Sequence, residues 1–137
     1  MKTQVPPAVA LVRLLVGTVF LSEGIQKFLF PVALGAGRFA KIGFPSPAWM
    51  ATGVAFFEIT CGLLVIVGLM TRLASVPLLV IIIVAIVTTK LPMIVDQGFW
   101  AMAHEARTDW CMLLGALFLI IVGAGRWSLD ALITTPE

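Results

Sequence analysis

Long apolar stretches alternating with short polar or turn-rich segments set the pattern of this chain. The apolar stretches run Ala8–Phe30, Met50–Met70, Leu73–Leu91 and Asp109–Gly125. An apolar helix needs about 20 residues, at 1.5 Å each, to cross ~30 Å of hydrocarbon, so each stretch is predicted to be a membrane-spanning helix. The third, LASVPLLVIIIVAIVTTKL, is rich in valine and isoleucine but far longer than a strand of a soluble sheet. It also lacks the alternation of a transmembrane barrel. Helices satisfy their own backbone groups in lipid, so branched residues do no harm there. The predicted fold class is all-α, an integral membrane four-helix bundle with antiparallel neighbours, forming a single domain over residues 1–137.

The connections agree with such a bundle. Met70-Thr71-Arg72 is so short that spans two and three must lie side by side and antiparallel. PVALGAGRFAKIGFPSPA and PMIVDQGFWAMAHEART form the two longer loops, predicted on the face opposite both termini. Lys2 gives the first span a positive start, but the apolar run is long and no A-x-A site follows, so a retained helix is expected.

Composition makes lipid the solvent. Of 137 residues, 61% are hydrophobic and 12% charged, about half the usual charge of a soluble domain. A net charge of +2 with scattered carriers gives no nucleic-acid footprint. Trp49, Trp100 and Trp110 fall at the long-loop face and Trp127 at the terminal face, where tryptophan anchors at headgroup level. Orientation is not set by charge: Lys27, Arg38, Lys41, Lys90 and Arg107 face Lys2, Arg13, Arg72 and Arg126.

Ionisable residues inside spans are costly, about 2.5–3.5 kcal/mol for Asp, Lys or Arg at a helix centre. Glu23 and Glu58 both lie roughly 10–12 Å beneath the long-loop face. Lys27 follows Glu23 by four residues, the favourable order on one helix face. The antiparallel arrangement gathers Glu23, Gln26, Lys27, Glu58, Lys90 and Asp109 in one half of the bundle, with His104, Glu105 and Arg107 just above. Arg13, Arg72, Arg126 and Asp130 are expected nearer the surface at the other end. Two readings of the first cluster stand open. In one, Lys27 and Lys90 snorkel, Thr108 or Asp109 caps the fourth helix, and Glu58 locks packing through a lysine. In the other, these residues form a polar pocket around Glu58, the deepest acid.

No metal motif is present: a zinc helix wants two histidines four apart, and His104 is the only one. Cys61 and Cys111 differ in depth by roughly 13 Å, too far for a disulfide, and are expected to be two buried free thiols. The recurrent glycines indicate close helix packing.

VRLLVGTVFLSEGIQKF, FFEITCGLLVIVGLMTRLAS and GFWAMAHEARTDWCMLLGALFLIIVGAGRWSLDAL resemble, in order, blocks of the DoxX family of bacterial membrane proteins. The markers are Arg13, Gly24 with Lys27, Glu58, the Gly68–Arg72 turn and the closing Gly125–Asp130; His104–Asp109 resembles one subgroup. The resemblance implies a four-helix protein of the bacterial inner membrane with both termini cytoplasmic. It implies an accessory or anchoring subunit of a membrane redox system, quinone-linked or tied to oxidative-stress or thiol chemistry. No catalytic residue is carried over and no catalytic motif is visible. No directly bound cofactor is expected; a quinone or lipid is the ligand to consider. The partners implied are the bilayer and a protein or larger complex, with a homo-oligomer left open. Alternatives from other classes are a transporter or membrane enzyme using the Glu/Lys pocket, and a purely structural subunit.

Overall fold

The computed structural model describes residues 7–134. Lys2, assigned above to the terminal face, lies outside them. Among the described residues the structure is all-helical, with no strand. Its helices are α1 (Val9–Leu29), α2 (Ala36–Ile42), α3 (Pro47–Val67), α4 (Thr71–Ala85), α5 (Leu91–Gln97), α6 (Phe99–Glu105), α7 (Arg107–Val122) and α8 (Leu129–Thr134). Three stretches are long and apolar enough to cross a membrane: α1, α3 and the continuous helical run Thr71–Gln97. The fourth expected span is shorter than predicted. α7 has 16 residues, or about 24 Å, and ends at Val122 because Gly123 turns out of the helix with φ 87°.

Three further boundaries differ from the sequence expectation. The third run does not stop at Leu91; it passes through a π-helical turn, Ile86–Lys90, and continues to Gln97. Proline in a helix cannot donate to the carbonyl four residues back and its ring collides with that group. Pro92 stands in that relation to Thr88, and the wider turn, in which the Leu91 N–H donates to the Ile86 carbonyl, accommodates it. The segment after Gln97 is also not a plain loop, since α6 occupies most of it. The first long loop likewise contains α2, closed by Gly43 at φ 93°.

α1 packs on α3, α3 on α4, α4 on α7, and α7 back on α1, so the four longest helices close a ring. Burying apolar groups against lipid-like surroundings gives no hydrophobic drive, so close backbone approach matters. Gly17 and Gly62 meet across the α1–α3 contact: a Cβ on either would come within 3.0 Å of the other's carbonyl oxygen. Val16, Phe20, Val65, Leu78, Ile82, Met112 and Leu119 fill the centre of the ring. At the terminal end, α3 stops at Gly68 with φ 75° and α4 starts three residues later, at Thr71. The Asp130 carboxylate accepts from the backbone N–H of Met70 and Thr71 at 2.7 and 3.1 Å, satisfying donors that the first turn of α4 leaves open.

Candidate functional site

A cavity of about 460 Å³ opens between α1, α2, α3, α4, the π turn and the start of α7. Its walls are mostly apolar, with Phe20, Phe39, Phe44, Met50, Ile82 and Met112 among them. Its charged lining comes from Glu23, Lys27, Arg38, Glu58, Lys90, Glu105 and Asp109. A polar head with an apolar body would match both parts of that lining.

Each charged group is placed by its helix. Glu58, only 4% exposed, sits on the face of α3 turned toward α1. Gly24 lets the helices meet there, because a Cβ at that position would lie 3.0 Å from the Glu58 Cβ and 2.9 Å from the Ala55 carbonyl. Lys27, one turn beyond Gly24, donates to Glu58 Oε2 at 2.8 Å. Lys27 therefore pairs across helices, not with Glu23 along α1; Glu23 is exposed at the cavity. A buried carboxylate is costly without a partner, and Lys27 gives Glu58 a cation and a hydrogen bond. On the opposite wall Lys90 leaves the π turn toward Asp109 in the first turn of α7, with Nζ–Oδ2 3.5 Å. Neither Thr108 nor Asp109 caps α7: its N-cap is Ala106, with no side-chain cap bond.

The remaining expected members stand apart. Gln26 donates to Ser22 at 2.9 Å, His104 is exposed, and Arg107 donates to the His104 carbonyl at 2.5 Å; none of the three lines the cavity. Among the described residues no group of three His, Cys, Asp or Glu is arranged to hold a metal. Thr88 and Thr89 line the cavity without having been singled out, and so do Arg38, named only in the charge count, and Thr108, named only as a cap. Thr88-Thr89 directly before Lys-Leu-Pro was the available signal, because threonine hydroxyls beside a proline mark a distorted helix. They bond the Val84 and Ala85 carbonyls at 2.7 and 2.5 Å. Cys61 and Cys111 are unpaired; Cys61 is buried, but Cys111 is exposed, contrary to expectation. All four tryptophans are exposed.

At the opposite end of the ring Arg13 is buried within the protein. Its Nη2 donates to the Trp127 carbonyl, its Nη1 lies against Gly68, and Asp130 is the acid acting on it electrostatically.

Residues 8–91 match the family model described as DoxX. The chain belongs to the DoxX family. Two relatives extend the likeness over nearly the whole chain. The uncharacterized membrane protein Rv3486 of Mycobacterium tuberculosis is 55% identical over 131 residues, covering 91% of this chain and 80% of its own. A Bacillus subtilis protein named "Putative oxidoreductase CatD" is 32% identical over 120 residues, covering 88% of this chain and 82% of its own. No solved structure matches. This DoxX protein is thus a membrane protein with several apolar helices in contact with lipid. The DoxX match takes in Glu23, Lys27, Glu58 and Lys90 but stops before Asp109.

Proposed function

We propose that this DoxX protein is the accessory membrane subunit of a redox system, and that its cavity receives the polar head of an apolar carrier of the quinone class. The observation that carries this reading is the cavity itself: about 460 Å³ of mostly apolar wall carrying two ion pairs, Lys27–Glu58 and Lys90–Asp109. The relative CatD, named as an oxidoreductase, supports the redox assignment. The chain itself offers one histidine, so a bis-histidine haem is not available, and the electron-carrying group would sit on a partner subunit. In this reading α7 is the fourth span, residues 1–137 are one domain, and both termini lie on the cytoplasmic side of a bacterial inner membrane.

The test is binding of decylubiquinone to the purified protein in mild detergent. Wild type is expected to bind saturably. Glu58→Gln keeps the shape and hydrogen-bonding capacity of the residue, so it should fold normally while binding at least about tenfold more weakly, the effect of losing a charged hydrogen bond. Full binding by well-folded Glu58→Gln would sink the assignment. A second reading, transport of a small polar molecule through the same pocket, is favoured by Glu23 and Glu105, which line the cavity and are exposed. Identification of co-purifying proteins separates the two, because a redox subunit should bring down a cofactor-bearing partner. Topology is tested by reporters fused after Glu137 and within residues 38–45, which should report opposite sides.

A further inference from the structure

The two ion pairs of the cavity are not equivalent. Lys27 and Glu58 are at full hydrogen-bonding distance, 2.8 Å. Lys90 stands 3.5 Å from Asp109 Oδ2, and that oxygen is buried with no hydrogen bond among the described residues. Charge-assisted N–H···O bonds run about 2.7–2.9 Å, so the second pair has ion-pair proximity without donor alignment. Buried polar atoms without a partner are uncommon and call for one. Little nearby supplies it: the hydroxyl hydrogens of Thr88 and Thr89 are committed to helix carbonyls. The cavity's carboxylates, Glu23, Glu58, Glu105 and Asp109, also outnumber its cationic side chains.

Resting on the reading of this cavity as a ligand site, we infer that its occupant carries a hydroxyl head that bridges Lys90 and Asp109. A hydroxyl has one hydrogen to give and two lone pairs to receive. It can donate to Asp109 Oδ2 while accepting from the Lys90 ammonium, completing what the loose pair leaves open. The ligand class is therefore an apolar-tailed molecule with a phenol- or enol-type hydroxyl, such as the reduced, quinol form of a quinone carrier, which should bind more tightly than the oxidised form that only accepts hydrogen bonds. Lys27–Glu58, already closed, holds the far wall and takes no part in that choice.

The experiment compares 4-heptylphenol with 4-heptylanisole, which differ in whether the ring oxygen carries a hydrogen, by calorimetric titration of the purified protein in detergent. The phenol is expected to bind about tenfold more tightly. In Lys90→Ala/Asp109→Ala no charge is left unpaired, so folding should survive, and the preference should fall to near unity. Asp109→Asn, which keeps the shape without the charge, provides the same comparison if the double variant is unstable, and should shrink the preference. Equal binding of the two probes by wild type, or an unchanged preference in the folded variants, overturns the hydroxyl bridge while leaving the cavity as a ligand site. Failure of wild type to bind either probe overturns both.

Discussion

Ionisable side chains are buried at both ends of the helical ring, and the two ends hold them differently. At the terminal end the partners are mostly backbone. Arg13 donates to the Trp127 carbonyl, and Asp130 accepts from the N–H groups of Met70 and Thr71. These bonds join α1, the α3–α4 turn and the C-terminal segment, and they are packed tightly enough that a Cβ on Gly68 would collide with the guanidinium. At the long-loop end the partners are other side chains, Lys27 with Glu58 and Lys90 with Asp109, arranged around open space. Backbone acceptors cannot move without unfolding something, whereas a side-chain partner can be exchanged for a ligand. The same residue types thus make a fastener at one end and a candidate site at the other.

Removing one group from each end should break this contrast if it is wrong. Arg13→Leu is expected to give the largest loss of stability, about 3 kcal/mol or failure to accumulate, since it leaves a carbonyl and a nearby acid without their cation. Thermal unfolding in detergent would measure it. Gly24→Ala should follow, at about 2 kcal/mol, because the new methyl meets Ala55, Glu58 and Ile59 at 3.0 Å or less. It should also weaken decylubiquinone binding by separating Lys27 from Glu58. Asp130→Ala removes the acceptor at the start of α4 and should lower stability by about 1 kcal/mol without altering binding. The smallest change in stability is expected for Lys27→Met/Glu58→Leu, where a buried ion pair is replaced by apolar side chains. Its melting temperature should stay near wild type while ligand binding disappears. A large destabilisation of this double variant would place Lys27–Glu58 with the fasteners instead.

Much of this was legible in the sequence, and the reasons for the exceptions are physical. The length and apolarity of α1, α3 and the third run made their existence legible, and the short Met70-Thr71-Arg72 link set α3 beside α4. Helical spacing placed Glu23 and Glu58 at one depth with Lys27 one turn above Glu23, and all three line the cavity. It could not choose Lys27's partner, since Glu23 along the helix and Glu58 across it are both within reach until the interhelical distance is known. The burial of Arg13 was not legible because it comes from the C-terminal segment folding back over it, which position along its own helix does not reveal. Cys111 was expected to be buried but is exposed, and its apolar sequence context could not decide, since the face of a helix that meets lipid is as apolar as the face that meets protein. His104 and Arg107 were grouped with the site because their loop was expected just above it, but both are exposed and, of residues 104–107, only Glu105 lines the cavity.

A π turn amounts to an α-helix into which one residue has been inserted. Every side chain beyond it is rotated by about 100°, the angle of a single helical step, relative to an uninterrupted helix. Lys90 occupies the last position of that turn, so its direction toward Asp109 is a matter of residue count as much as of residue type. Deleting one residue, such as Val87, would restore the regular repeat and swing the lysine off the cavity wall while leaving the composition of the segment almost untouched. A chain length one shorter in this stretch would therefore distinguish a cavity with a single ion pair from one with two.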